Sequence, residues 1–429
     1  MDGLILFELV LAMLLAAVAL HYLANRLGIP PAAALIIGGG ALAFVPGEPA
    51  ISLEPELVLV LFLPPLLMDG AWVIPLRHLR RHLVGILSLA IGAVVFTTAV
   101  VALVTHMLMP GLPWAACAVL GAIVSAPDAI SARAVLQRVQ LPPRLAILLE
   151  GESLLNDAAA LVLFRIAVAA AVTGAFNAFD AVGDFVLVAL GGVAVGAVMG
   201  ALWVFIAKRM RDEYLITALT ALTCWGTFLL AERLQVSGVI ATVVAGLVCG
   251  WYQHVVLSAA VRVRSLSFWH VMIFLLEASV FILIGFELRE VIERAGGLHV
   301  VLDQMAEPTF WILLALTLAR VVWVFFSDAI TWLCHRLGRL RIQSIGWRGS
   351  TVLSWAGMRG VATLAVALSV PDEMPGRDFI VVASFAVILV TVLLQGTTLG
   401  FVIRRLRPPG TGSHVAALTL ADAQAALAE

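Results

Sequence analysis

Two carboxylates and an asparagine stand in the middle of an apolar segment in the stretch GESLLND, residues 151–157. The surrounding residues 145–172 are numerous enough to cross a bilayer as a helix at ~1.5 Å per residue. At ~100° per residue, the side chains of Glu152, Ser153, Asn156 and Asp157 fall within one arc of about 140°. An intramembrane carboxylate costs roughly 2.5 kcal/mol or more, so it normally faces a bundle interior or a water-filled cavity. The spacing therefore indicates an ion pathway.

Composition places these residues in a membrane protein. Hydrophobic residues make up 62% of the 429 residues and charged residues 12%, whereas globular chains average about 45–50% and 25%. The sequence predicts a polytopic all-α membrane protein whose N-terminal stretch is the first membrane helix and not a removable signal peptide. No basic face supports nucleic-acid binding, and the four separate cysteines indicate neither a disulfide framework nor a zinc site.

Apolar stretches long enough to span a bilayer recur along the chain, and they predict about thirteen transmembrane helices. They are residues 3–24, 30–45, 52–71, 83–108, 114–136, 143–172, 182–207, 214–231, 235–252, 268–287, 308–334, 350–370 and 378–402. Every second connection is rich in arginine. By the positive-inside rule, these connections and the C-terminus are cytoplasmic and the N-terminus is outside, which predicts a multi-pass protein of the cell membrane.

Ionisable residues gather at one depth of the predicted bundle. Five spans carry a charge near their midpoint, namely Asp128, Asp157 beside Asn156, Glu277, Arg320 and Arg359. Glu152 and Asp69 lie slightly to the cytoplasmic side. These charges could be structural ion pairs that tie helices together, because buried charges must be paired to be tolerated. The acids outnumber the two central arginines, however, so at least one carboxylate is left to hold a cation or a proton.

Two predicted spans are interrupted at this depth. Pro127 lies within SAPDAISA, where it removes a backbone donor, and Gly357 and Gly360 lie within WAGMRG. Under a six-plus-one-plus-six division of the spans, the two breaks occupy corresponding positions. This pattern favours a transporter with two inverted-topology repeats whose broken helices cross at the midplane. An aspartate there can offset helix N-termini, and an arginine can offset C-termini.

Taken together, the motifs resemble those of the cation/proton antiporters of the NhaP and Na+/H+ exchanger group. The resemblance rests on GESLLNDAAALVLF, LFLPPLLMDGAW, VSAPDAISARAVL, LEASVFILIGFEL, LARVVWVF and WAGMRGVATLAVAL, which occur along essentially the whole membrane region. It implies a thirteen-helix NhaA/NhaP-like fold in residues 1–407, followed by a short cytoplasmic tail, 408–429.

The resemblance also implies a division of labour and a set of partners. A mobile core would comprise helices in about 83–172 and 308–402, and a dimerisation scaffold those in about 3–71 and 182–287. The expected state is a homodimer in the bilayer. The expected ligands are a monovalent cation, Na+ first, and a proton, with no cofactor.

Site residues follow from the same resemblance. Asp157 corresponds to the cation- and proton-binding aspartate, and Asn156 takes the place of a second aspartate found in electrogenic relatives, which implies electroneutral exchange. Ser153 and Asp69 would join Asp157 as ligands of Na+. The unwound segment would be Pro127, Asp128 and Ala129, with the proline before the aspartate instead of after it. The resemblance also implies a structural ion pair of Glu152 with Arg359, and the layer of charges adds Arg320 and Glu277 as structural core charges.

Two other functions fit the same residues, and a third does not. A K+/H+ antiporter of the same fold fits the same residues, and a polar midplane layer would also serve a cation channel. An enzyme is disfavoured, because Ser153 has no GxSxG frame and no histidine in its span, and HExxH is absent.

Overall fold

Every regular element that the computed structural model describes is helical. The structure describes residues 3–27, 31–43, 55–74, 76–128, 141–174, 178–337 and 344–408. Its helices are α1 Gly3–Leu27, α2 Pro31–Ala43, α3 Pro55–Val73, α4 Leu76–Leu87, α5 Val94–Leu108, α6 Trp114–Ser125, α7 Pro143–Thr173, α8 Ala178–Ala207, α9 Glu213–Arg233, α10 Gly238–Val256, α11 Ala259–Arg294, α12 Ala306–Arg336, α13 Gly346–Trp355, α14 Val361–Leu368, α15 Arg377–Val390 and α16 Gly396–Leu406. The predicted all-α membrane fold is confirmed.

Three short π-helical segments join helices into longer rods. Ser88–Ala93 connects α4 to α5, and Thr391–Gln395 connects α15 to α16. Val301–Met305 connects a single turn, Leu298–Val300, to α12. Within a helix, π-helical turns often mark functional positions, and two of these three segments contact the site described below.

The predicted spans coincide with apolar helices, most of which are long enough to cross a membrane. In the described residues, eight continuous helices are long and apolar enough to cross a membrane, and four shorter apolar helices accompany them. Each of the thirteen predicted stretches contains a described helix, although residues 129–136 of the fifth lie outside the described residues. The twelfth is divided into α13 and α14. The count of thirteen and the inverted repeat stay predictions.

Small residues allow the helices of the predicted scaffold to approach closely. A Cβ added at Gly192 or Gly196 of α8 would overlap the backbone carbonyl oxygens of Ser237 and Ala241 at the start of α10. A Cβ at Gly39 of α2 would likewise meet the backbone of α11. Because lipid tails are as apolar as leucine, such close backbone packing is a main source of helix association in membranes.

The predicted core stretches pack on each other in the same way. A Cβ at Gly121 of α6 would overlap the backbone of α5. Helix α7 lies against α6 and the first π-helical segment, and α12 lies against α5 and α13. The division into a mobile core and a scaffold stays a prediction, and the tail beyond Pro408 lies outside the described residues.

Candidate ion-binding site

The first interrupted helix ends where the sequence requires it to end. Helix α6 stops at Ser125, and Ala126 is extended (φ −77°, ψ 119°), as expected for the residue before a proline. The Pro127 carbonyl accepts a hydrogen bond of 2.5 Å from Nδ2 of Asn156, which is fully buried in α7. The predicted break is therefore tied directly to the GESLLND stretch.

The second interrupted helix meets the first. Residues 356–360 separate α13 from α14, and the backbone N–H of Asp128 donates to the Met358 carbonyl at 2.6 Å. The Asp128 carboxylate lies against Gly360, the residue that precedes α14, so closely that a Cβ there would overlap it. An anionic group at a helix N-terminus is stabilised by the helix dipole. Asp128 thus occupies the position predicted for an aspartate at a broken helix.

Arg359 stabilises the C-terminal end of α6 at the first break. Its Nε donates to the Val124 carbonyl at 2.7 Å and one terminal nitrogen to the Ser125 carbonyl at 3.3 Å. The other terminal nitrogen donates to the Gly357 carbonyl. The two carbonyls on α6 belong to its last turn, where unpaired acceptors carry the negative end of the helix dipole. A buried guanidinium supplies the donors that water would supply elsewhere.

Glu152 pairs with Arg320, and the expected Glu152–Arg359 pair is wrong. The Arg320 guanidinium binds the carboxylate with both terminal nitrogens, at 2.6 and 3.0 Å, and also donates to the Leu353 carbonyl at 3.2 Å. Arg320 reaches this point across Gly357, where a Cβ would overlap its side chain. Arg359 is within electrostatic range of Glu152, but its donors are directed to backbone carbonyls.

Helix α12 is positioned for this contact by the first π-helical segment. The Trp323 Nε1 donates to the Ser88 carbonyl at 2.9 Å. A Cβ at Gly92 would overlap the Trp323 ring. Trp323 lies one turn from Arg320 on the same face of α12, so this contact sets how far the arginine reaches toward Glu152.

Asp157 lies beside this cluster without a basic partner. In the described parts of the chain, no arginine, lysine or histidine nitrogen comes within 4.0 Å of its carboxylate. Its strongest charged neighbour is the Asp128 carboxylate. Its backbone N–H donates to Oδ1 of Asn156 at 2.7 Å. Ser153 lies one helical turn away on the same face, and both residues are partly accessible.

Two other predicted site residues, Asp69 and Glu277, lie on α3 and α11. Asp69, half-buried in α3, lines a small cavity with Trp72, Gln253 and Arg262, and neither Asp157 nor Ser153 is part of that lining. Its role as a ligand of the same ion stays a prediction. Glu277 is half-buried in α11. Ala129 lies outside the described residues.

Thr391 contacts Arg359, although the sequence analysis did not predict it as a site residue. Its hydroxyl accepts a hydrogen bond of 3.1 Å from the Arg359 backbone N–H and donates to the Val387 carbonyl at 2.7 Å. It begins the third π-helical segment. The signal was present in the sequence, because Thr391 lies near the midpoint of the last predicted span, at the depth of the charged layer.

Comparison with known families identifies the class of protein to which this chain belongs. Residues 10–405 match the family described as sodium/hydrogen exchanger, transmembrane. The chain belongs to this sodium/hydrogen exchanger family. The predicted class, a monovalent cation/proton antiporter, is confirmed.

Individual exchangers are similar over most of their length. An uncharacterised Na+/H+ exchanger of Mycobacterium tuberculosis is 34% identical, and the match covers 99% of this chain and 80% of that protein. The Na+/H+ antiporter ApNhaP of Aphanothece halophytica is 33% identical over 88% of this chain and 70% of its own. A sodium, potassium, lithium and rubidium/H+ antiporter of Bacillus pumilus is 32% identical over 91% of this chain and 60% of its own. All three are transporters and not enzymes.

A solved exchanger structure has the same fold. The sodium proton antiporter MjNhaP1 of Methanocaldococcus jannaschii superposes with a TM-score of 0.74 at 20% identity, covering 95% of this chain and 99% of that one.

The Glu152–Arg320 pair predicts a specific pattern of stability changes. Glu152→Gln leaves a buried arginine without its counter-charge, so we expect the free energy of unfolding to fall by roughly 3–5 kcal/mol. Arg289→Gln breaks an exposed pair with Glu293 and serves as the control, with a loss of roughly 1 kcal/mol or less. Thermal unfolding in detergent measures both.

A double-mutant cycle identifies the partner. Adding Arg320→Gln to Glu152→Gln should restore part of the lost stability, because both charges are then removed. Adding Arg359→Gln should not, because Arg359 then leaves the α6 carbonyls without donors. Equal restoration by the two arginine variants would contradict the assigned pair.

Proposed function

We propose that this exchanger transports Na+ inward or outward in exchange for H+, with Asp157 binding the cation and the proton alternately. The observation that carries the proposal is the environment of Asp157. Its carboxylate lies beside the crossed broken helices, near the like charge of Asp128, and without a basic partner among the described residues. A position within a membrane-spanning helix and a neighbouring anion both disfavour a bare carboxylate, so the site favours occupation by a positive ion.

The oxygen atoms available near Asp157 suit a hard monovalent cation. Carboxylate, hydroxyl and carbonyl oxygens are the ligands that such ions prefer. Ser153 would contribute its hydroxyl and the segment at Pro127 its backbone carbonyls, and Asp69 would complete the shell. Asn156 would hold the Pro127 segment at a fixed distance from Asp157, since its amide already bonds both.

Exchange follows if the core moves only when the Asp157 charge is neutralised. A bound Na+ or a bound proton each cancels one negative charge, which lowers the cost of carrying the carboxylate across the apolar barrier. The empty, charged carboxylate would stay where it is. Because Asn156 is neutral, each cycle would exchange one monovalent cation for one proton.

A K+/H+ antiporter is the second candidate. The printed name of the Bacillus pumilus relative includes potassium, lithium and rubidium, whereas that of ApNhaP includes sodium alone. Dye-quenching transport in proteoliposomes, with the cation varied at fixed pH, separates the candidates. A larger response to K+ than to Na+ would favour the second.

The motion would be an elevator-like displacement of the core past the scaffold. Among the described residues, an ion pair joins the predicted core to the predicted scaffold. A terminal nitrogen of Arg165 in α7 lies 3.0 Å from a carboxylate oxygen of Glu232 in α9, and both side chains are partly exposed. Such a contact must break when the core moves. We further propose a homodimer in the cell membrane, with the N-terminus outside, the C-terminus in the cytoplasm and a role in pH homeostasis.

Asp157 is predicted to be indispensable. Asp157→Ala should reduce cation-induced pH change in proteoliposomes to the level of protein-free vesicles, because it removes the carboxylate that would bind both ions. Asp184→Asn, an exposed acid on α8, is the matched control and should keep full transport. Residual cation-dependent exchange by the alanine variant would remove Asp157 from its proposed role.

Electroneutral exchange predicts that the membrane potential does not affect the transport equilibrium. An imposed potential of ~100 mV would change the driving force by ~2.3 kcal/mol for each net charge moved. We therefore expect the same equilibrium distribution of Na+ with and without a valinomycin-induced K+ diffusion potential. A clear shift with potential would show a stoichiometry other than one to one.

Fixing the Arg165–Glu232 contact should stop transport. Cysteines at both positions, introduced into a Cys334→Ser background and joined by a short bis-maleimide, would lock the core against the scaffold. The control joins positions 264 and 213, an exposed ion pair between α11 and α9 inside the predicted scaffold. We expect the first link to block exchange and the control link to preserve it; undiminished transport with the first link would rule out core displacement at this point.

A further inference from the structure

One peptide group in the second break is held on both of its sides. It joins Met358 to Arg359, and neither residue is more than 2% exposed. Its carbonyl oxygen accepts the hydrogen bond of 2.6 Å from the Asp128 backbone N–H. Its own N–H, which belongs to Arg359, donates to the Thr391 hydroxyl at 3.1 Å. The two broken helices therefore meet at a peptide group that the last predicted span also contacts.

The two hydrogen bonds of this peptide group are not independent. A peptide group is planar, and in the trans form its carbonyl and its N–H point in opposite directions. Holding the N–H against Thr391 therefore fixes the direction in which the carbonyl is presented to Asp128. The adjacent backbone restrains the group less, because Gly357 and Gly360 flank it and glycine restricts the backbone least of all residues.

The Thr391 side chain is itself held in one orientation. Its hydroxyl donates to the Val387 carbonyl at 2.7 Å, so its oxygen can accept the Arg359 N–H. The side chain is buried. A second hydroxyl of the same span, that of Thr398, accepts a hydrogen bond of 2.9 Å from Nε1 of Trp355, the last residue of α13. The last span thus holds the second break both at the end of α13 and at the peptide group that receives Asp128.

We propose that Thr391 is a positioning residue for ion exchange, because its hydroxyl orients the Met358–Arg359 peptide group and thereby sets where Asp128 is held. The Asp128 carboxylate is the charged neighbour of Asp157. Two carboxylates attract a cation more strongly when they lie close together, since the interaction between charges falls with their separation. Thr391 therefore acts on cation binding through Asp128 and not by contact with the ion. The inference rests on the proposed role of Asp157 as the ion site.

Removing the hydroxyl should weaken cation binding without stopping turnover. Thr391→Val keeps the shape of the side chain but gives the Arg359 N–H no acceptor. We expect the half-saturating Na+ concentration to rise about fivefold, the effect of one buried hydrogen bond, while the maximal exchange rate stays nearly unchanged. Dye-quenching in proteoliposomes, with Na+ varied at fixed pH, measures both quantities. A lower maximal rate with an unchanged half-saturating concentration would indicate a merely structural role and overturn the proposal.

Serine and cysteine at position 391 separate hydrogen bonding from packing. Thr391→Ser and Thr391→Cys both lose the methyl group and are similar in size, but a thiol accepts a hydrogen bond only weakly. The serine variant should keep the wild-type half-saturating concentration, and the cysteine variant should raise it as valine does. This comparison decides the question even if the valine variant does not fold. Equal half-saturating concentrations for serine and cysteine would contradict the proposal.

Two other hydroxyls of the last span serve as controls. Ser384 is buried and Thr397 is exposed, and each hydroxyl donates to a carbonyl of its own span. Ser384→Ala and Thr397→Val should leave the half-saturating concentration unchanged; a rise as large as that of Thr391→Val would count against a specific role for Thr391. Exchange by Asp157→Ala would refute the proposed ion site instead. An inactive Asp157→Ala beside an unaltered Thr391→Val would refute the role of Thr391 alone.

Discussion

The structure depends on how two helices can be broken inside a membrane. A break leaves carbonyl groups without intrahelical partners where water is scarce, and each such group costs several kcal/mol unless another donor reaches it. Arg359 supplies donors to the last turn of α6, and Arg320 supplies one to Leu353 near the end of α13. Asp128 lies at the start of α14. The charged layer therefore makes the unwound segments possible, and the unwound segments in turn expose the backbone oxygens that an ion could use.

The same requirement explains which acid remains available. Glu152 is held by both terminal nitrogens of Arg320, and Asp128 is placed against a helix N-terminus. Arg359 is occupied with carbonyls. The charged neighbour of Asp157 is the Asp128 carboxylate, so its surroundings supply negative charge. Both arginines thus serve structural contacts, which leaves Asp157 as the acid that we propose for ion exchange.

The sequence was sufficient for the helices and the two interruptions, because these follow from hydropathy and from the positions of proline and glycine. The use of an arginine at a helix C-terminus and an aspartate at an N-terminus was also foreseeable from the dipole. The partner of Glu152 was not. Arg320 and Arg359 lie at the same depth, and only the rotation and spacing of α12 and α13, set by contacts such as Trp323 with Ser88, decide which guanidinium reaches the carboxylate. The part played by Thr391 depends on the same tertiary arrangement.

Asn156 connects the proposed ion site to the first broken helix. Its amide makes two hydrogen bonds. Nδ2 donates to the Pro127 carbonyl, and Oδ1 accepts a hydrogen bond from the Asp157 backbone N–H. An ionised carboxylate in this place could accept but not donate. A second acid at position 156 would therefore add a charge and at the same time detach the GESLLND helix from the first break. If Asp157 exchanges the ions as proposed, the charge of the site and the geometry of the first break therefore depend on the same side chain and could not be altered independently.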